Sequence, residues 1–357
     1  MSKKHDDYVA NPIFTEVFPD ISGNTVNGLG ETQFRRPSPF FWHPPPRQTH
    51  GVLQETVIKY HRQSPEMCEV FNPAADRGPK TVEQAPQAIE KPAEVWTDLI
   101  KQYVLENEGD LVGITPMSPD YVYEGYEVNE ANVVIIGVSM DYDELIQAPA
   151  SFEQPNAGVE VGRQYNRASR VARRLTNYIL EQGHYAKGWP GPYASGLSMM
   201  PAAIQAGLGE LGKHGSLINR EYGSSFRLAA VTTDMPLTYD QPADFGADDF
   251  CTRCQVCANA CPPGAIFDVK QMVRGEEKWY VDFDACIPYF GETLACGICI
   301  ARCPWSKPGT APRLAEKMLR WRAKRAAKAE AARESDGKTT KQSDSRSSAT
   351  TVRKPTR

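Results

Sequence analysis

Eight of the nine cysteines in this chain fall within 53 residues, from Cys251 to Cys303, and the ninth, Cys68, stands alone. So dense a group must be tied by disulfides or by metal. Disulfide frameworks belong to small domains in oxidising compartments. This chain has 357 residues, enough for two to three domains with cores of their own. Its opening, MSKKHDDYVANPIFTEVFPD, has no apolar core and no twin-arginine pair, so it does not read as an export signal. The longest apolar run, residues 133–140, falls far short of the ~20 residues that span a bilayer. The sequence therefore points to metal binding in a cytoplasmic protein.

The spacing narrows the metal. Cys251, Cys254, Cys257 and Cys261, followed by Pro262, form C-x2-C-x2-C-x3-C-P, the bacterial ferredoxin run. Three thiolates wrap one corner of a cubane, and the fourth ligates the other cluster. Cys286, Cys296, Cys299 and Cys303, followed by Pro304, repeat the ending, with the first cysteine displaced upstream by an inserted loop. Crossed ligation then predicts one cluster on Cys251, Cys254, Cys257 and Cys303 and a second on Cys261, Cys286, Cys296 and Cys299. Zinc is satisfied by four ligands in C-x2-C pairs and does not call for the C-x3-C-P ending twice. Two [4Fe–4S] clusters so arranged form an electron wire, and a wire must end at a redox centre.

The rest of the chain divides by composition. Residues 1–92 read as an irregular arm, broken by Pro37, Pro39, Pro44, Pro45 and Pro46, whose Phe40, Phe41 and Trp42 pack on the core. Residues 93–247 read as an α/β core: a helix from Ala93, strands at 110–115 and 132–140, a helix over 165–183, a short helix at 200–208 and a strand at 226–233. Residues 248–309 form the iron–sulfur module. Residues 310–357 read as a basic helix followed by a disordered tail. From Ala311 onward there are 14 Lys and Arg against 5 Asp and Glu, leaving 26 against 39 in the rest. An acidic body thus carries a basic tail, read as a solvated segment rather than a nucleic-acid arm.

Gly207-Leu-Gly209-Glu-Leu-Gly212 matches G-x-G-x-x-G, but apolar helix precedes it and a turn follows, the reverse of a dinucleotide site. These glycines either turn the chain or admit a large flat ligand.

AGLGELGKHGSLINREYGSSFRLAAVTTDMPL, the ferredoxin run, and CIPYFGETLACGICIARCPW together resemble the cobalamin-dependent reductive dehalogenases, over residues 93–308. The resemblance implies a nitroreductase-like α/β (α+β) core holding a corrinoid, with an appended ferredoxin-like module of two [4Fe–4S] clusters feeding electrons to cobalt. It implies replacement of carbon–halogen by carbon–hydrogen in an organohalide, an aromatic one by expectation. A separate ferredoxin, flavodoxin or reductase would supply the electrons. In that family a tyrosine at the helix after the second strand donates the proton, helped by a Lys or Arg in the glycine-rich turn. The matching residues are Tyr165 in GRQYNRAS and Lys213 in GELGKHG. A neighbouring cation favours the phenolate that donation leaves. Gly207, Gly209, His214 and Ser216 are the matching candidates for corrinoid contact, and Arg274 for an anionic substrate group.

Epoxyqueuosine reductases share this core and use an aspartate beside the tyrosine, in an Asp-Tyr-His run. Here Gln164 and Asn166 flank Tyr165. Action on tRNA is the second reading, and a ferredoxin-like electron carrier is the third.

Overall fold

The computed structural model describes residues 8–191 and 196–344. The N-terminal arm is less irregular than its prolines suggest. It forms α1 (Pro12–Thr15), α2 (Gly23–Val26), α3 (Gly51–His61) and α4 (Pro65–Val70). Local chemistry starts three of them. Asn11, Ser22 and Ser64 side chains accept from the N–H groups of Ile13, Asn24 and Met67, and Pro12 and Pro65 sit in the first turn. Phe14, Phe41, Leu53 and Val57 then bury themselves against Ile287, in the cysteine-rich half. The arm is thus a structural layer, held by apolar burial.

The core follows as α5 (Ala93–Glu106), β1 (Leu111–Pro116), β2 (Asn132–Ser139), α6 (Tyr142–Leu145), α7 (Asn156–Glu181), β3 (Ala186–Trp189), α8 (Met199–Gln205), β4 (Glu210–Leu211), β5 (Leu217–Ile218) and β6 (Phe226–Thr233). Strands β1, β2, β6 and β3 form one sheet in that order, every pairing antiparallel. The class is therefore α+β. The unbroken apolar run in β2 arises because helices cover both faces of the sheet. Val134, Ile136 and Val138 pack against α5 and α7, while Val133 and Ile135 pack against Ala202 and Ala203 of α8.

Helix α7 starts at Asn156, nine residues before the expected start at Tyr165. Two glycines made its first turns look unhelical, yet they are what lets it pack. A Cβ on Gly162 would lie 2.5 Å from Val70 Cγ2, and one on Gly158 would lie 2.6 Å from the Leu294 carbonyl oxygen. Their absence brings α4 close to the helix, and Tyr165 emerges one turn later.

The remaining elements are α9 (Ala247–Arg253), α10 (Val256–Ala260), the hairpin β7 (Gln271–Val273) and β8 (Glu276–Lys278), α11 (Phe283–Glu292), α12 (Ile298–Ala301) and α13 (Ala311–Asp344). Helix α13 packs on α9 through Ala311, Ala315, Met318 and Trp321. Its Ala-, Lys- and Arg-rich first part, to Arg333, has high helix propensity, and the helix runs on to Asp344, into the stretch expected to be disordered. Residues 345–357, the rest of the expected tail, lie outside the described residues.

The glycine-rich turn is a joint between core and module. Glu210 Oε1 accepts from the N–H groups of Phe245, Gly246 and Ala247 at 2.8, 2.9 and 3.0 Å. Its Oε2 accepts from Asp248 N–H at 3.1 Å. A carboxylate on the start of α9 suits the helix dipole and fixes where the first cysteines stand. A Cβ on Gly209 would lie 2.2 Å from the Ile218 carbonyl oxygen, and one on Gly207 2.6 Å from that of Gln241. Both glycines make room for protein backbone rather than for a flat ligand.

Candidate active site

The eight clustered cysteines separate into two groups. Cys251 feels Cys254, Cys257 and Cys303, and these four thiols share one small cavity. Cys286 feels Cys296 and Cys261, and Cys299 feels Cys286, Cys296 and Cys261. These are the two sets that crossed ligation requires. Cys299 also feels Cys257, so the sets adjoin. No disulfide links any of them. Burial pushes Cys251, Cys257 and Cys286 up to about 12, so as bare thiols they would stay protonated. Buried sulfur in fours, with ligand spacing, suits iron–sulfur cubanes.

Lys213 and His214 lie with the first set, not with Tyr165. Both line the cavity of Cys251, Cys254, Cys257 and Cys303. The Lys213 ammonium sits over the Trp279 ring, 4.9 Å from its centroid. His214 is buried, which pushes it down to about 4 and keeps it neutral. Its Nδ1 accepts from Ser216 N–H at 3.1 Å, so Nε2–H donates to Ser224 Oγ at 3.0 Å. The Ser224 hydroxyl in turn donates to Cys303. His214 and Ser216 therefore support the cysteine set and meet no corrinoid-sized space. Arg274 is elsewhere again. It donates to the Asn27 carbonyl at 2.6 Å and lines a separate cleft of about 930 Å³ beside Trp279 and Met200.

Tyr165 opens onto a cavity of about 290 Å³. Its walls are Trp42, Ile58 and His61 from the arm, Met67 and Phe71 from the α4 region, and Phe290 and Ala295 from the cysteine-rich half. The cation facing Tyr165 there is Arg227, whose guanidinium lies 5.5 Å from the tyrosine ring centroid. Arg227 Nε is buried and has no hydrogen-bond partner among the described residues. The sequence signal for Arg227 was present: a cation at the start of the apolar strand FRLAAVTT, between buried Phe226 and half-buried Leu228. The cavity lies near the second cysteine set, because Tyr165 and Cys296 pack against one apolar cluster with Met67, Val161 and Leu294.

The flanking residues are structural. Gln164 donates to Glu160 at 2.9 Å, and Asn166 accepts from Arg77 at 2.9 Å and donates to the Val70 carbonyl at 2.7 Å. Cys68 donates to the Arg62 carbonyl at 3.0 Å and takes no part in either set.

Residues 250–307 match the family described as a 4Fe-4S dicluster domain. The chain is 32% identical over 215 residues to a tetrachloroethene reductive dehalogenase of Desulfitobacterium hafniense, covering 56% of this chain and 37% of that protein. A catabolic reductive dehalogenase solved with 3-bromo-4-hydroxybenzoic acid superposes with a TM-score of 0.60 at 25% identity, covering 76% of this chain and 39% of that one. The chain is thus similar to reductive dehalogenases over part of their length. It is also 29% identical to the epoxyqueuosine reductase of Escherichia coli strain K12, over 51% of each protein. It spans well under half the length of the curated reductive dehalogenases it matches. Among the described residues no helix is long and apolar enough to cross a membrane.

The Tyr165 cavity can be compared with what a corrinoid would need. The cavity has apolar walls and a buried guanidinium N–H left unpaired, and its Ala295 wall precedes Cys296 in the chain. Its volume suits a small aromatic ring. A corrin needs the arm wall of Trp42, Ile58 and His61 to open further.

Proposed function

We propose that this chain is the catalytic core of a corrinoid-dependent reductive dehalogenase acting on a halogenated aromatic. The observation that carries the reading is one cavity holding a tyrosine and a cation, packed on the same apolar cluster as the predicted cluster ligand Cys296. The overall change is R–X plus two electrons and one proton giving R–H and halide. The corrinoid, when bound, supplies a low-potential cobalt centre. Tyr165, Arg227, Val161 and Phe290 would hold the aromatic ring of the substrate.

The protein's own residues do the rest. Apolar walls exclude water, and the acid assigned to the reacting carbon is the Tyr165 hydroxyl. Giving up its proton leaves a phenolate, and the Arg227 guanidinium over the ring stabilises that charge. Arg227 thus takes the role that the sequence pattern gave to Lys213. Burying a guanidinium with Nε unpaired is unfavourable in the resting protein, and an anion formed beside it relieves the cost.

The wire has a direction. The set of Cys261, Cys286, Cys296 and Cys299 packs toward Tyr165, and the set of Cys251, Cys254, Cys257 and Cys303 lies under α13. Electrons from a separate donor would enter at the second of these. There the Arg253 and Arg325 guanidiniums flank the Trp321 ring at 4.9 and 4.6 Å, a positive face for an acidic carrier.

The test is anaerobic reconstitution with iron, sulfide and cobalamin, followed by halide release from bromophenols. Tyr165→Phe should bind cobalt and iron normally and lose about 10²-fold or more in turnover, the size of a general-acid contribution. Near-normal halide release by that variant, or none by the wild type, would sink the reading. Epoxyqueuosine reduction is disfavoured, because neither neighbour of Tyr165 is an acid and both are engaged in packing.

A further inference from the structure

Lys213 ranks among the largest fully buried side chains, 1% exposed. Its partners are all neutral. The ammonium stands over Trp279, and Gln255, with its amide oriented to satisfy both neighbours, accepts from Nζ at 3.1 Å and donates to Asp268 at 2.9 Å. Among the described residues no carboxylate lies within 4 Å of Nζ, since Asp248 is taken by Lys270 and Asp244 and Asp249 by Arg322. A buried ammonium with no counter-charge is strongly unfavourable, so such a residue survives only where something negative completes it.

The cysteine set supplies that charge. Lys213 lines the same cavity as Cys251, Cys254, Cys257 and Cys303. Its backbone N–H donates to Cys251, and its charge acts directly on Cys257. A [4Fe–4S] cubane on four thiolates is anionic and gains one further negative charge when reduced. A fixed cation beside it favours the reduced form, and burial makes the effect large because water does not screen it.

We propose that Lys213 is the charge partner of the cluster on Cys251, Cys254, Cys257 and Cys303, and that its ammonium raises the reduction potential of that cluster. The inference rests on the two-cluster reading and adds the role of one residue to it. Lys213 is a positioning and tuning residue: it touches neither substrate nor the Tyr165 cavity. The consequence is functional. A wire runs inward only if its outer cluster accepts an electron from the donor, and Lys213 makes that first one-electron step easier. The donor is oxidised by one electron as the cluster is reduced by one, and two such steps serve one halide released.

The test is a potential, read without turnover. Reconstituted wild type, Lys213→Met and Lys213→Arg are titrated anaerobically, the two clusters being followed by electron paramagnetic resonance and iron measured throughout. Lys213→Met should shift the equilibrium of the outer cluster about 10-fold toward the oxidised form, about 59 mV more negative for a one-electron couple. Lys213→Arg should restore it, and the inner cluster should move less. Full iron with an unmoved potential in Lys213→Met overturns the proposal. So does Lys213→Arg falling as far as Lys213→Met, which would make the effect one of packing. If Lys213→Met loses iron, Lys213→Gln is compared with Lys213→Arg, and equal potentials overturn it. Wild-type iron near four per chain would instead bring down the two-cluster reading, and the inference with it.

Discussion

Two cations, Lys213 fully buried and Arg227 half-buried, stand in two cavities of the same molecule. Neither has a carboxylate partner among the described residues. Lys213 faces sulfur at the entrance of the wire, and Arg227 faces a phenol ring at its end. They differ in what the neighbouring group does. A cluster keeps its negative charge throughout and gains more on reduction, so a compact ammonium beside it sets a potential. A phenol becomes negative only in the reaction, so a planar guanidinium over its ring matters most at that moment. The same residue class serves electron entry in one place and proton delivery in the other, and only position separates the roles.

The sharpest way to test the division is to cut the wire at one end. Cys296→Ser removes a ligand from the set beside Tyr165. Halide release should be abolished while the outer cluster still reduces, as seen by absorbance with dithionite. If turnover persists, the order of the two sets is wrong. Next in size is an exchange test. Arg227→Met should cost about 10²-fold in turnover, because the phenolate is left unsupported. It should be little worse in combination with Tyr165→Phe, because the two act as one unit. Lys213→Met should cost less than 10-fold under saturating chemical reductant, which bypasses electron entry. A reversed ranking would exchange the two roles.

A smaller effect is expected where the donor docks. The pair Arg253→Glu and Arg325→Glu should slow reduction by an acidic two-cluster ferredoxin several-fold at low salt and leave reduction by dithionite alone. Equal slowing with both reductants would place the effect in the clusters. The smallest concerns the cavity wall. In Gly162→Ala the new methyl meets Val70, so thermal stability should fall by about 1–3 kcal/mol. An unchanged melting temperature would show that α4 yields freely, and that the wall near Tyr165 is softer than its packing indicates.

Much of the layout could be read from residue order. The cysteine spacings held the two ligand sets, because a cubane fixes which thiolates stand close in sequence. Strand β2 and the inner face of α7 were plain from periodicity. The start of α7 was not, because Gly158 and Gly162 are poor helix formers taken alone and become necessary only when α4 and Leu294 press against them. The surroundings of Gly207, Gly209, His214 and Ser216 were out of reach of the sequence for a related reason. The turn that carries them folds back on protein backbone and on the cysteine helix, through Glu210, instead of facing open space. Arg274 likewise spends itself on Asn27 in the arm.

By itself, then, the sequence determined the cofactor chemistry of the module: eight sulfurs at fixed intervals admit few metals and one pattern of crossing. It also determined that Tyr165 lies on a helix. Which cation meets that tyrosine was decided only in three dimensions. Arg227 is 62 residues from Tyr165 in the chain and reaches it because β6 lies beside β2 in the sheet that α7 covers. Lys213 is closer in sequence, yet the glycine-rich turn carries it to the sulfur side. Spacing along the chain constrains groups that share one small ligand, but strand pairing and helix packing choose which distant side chains share a cavity.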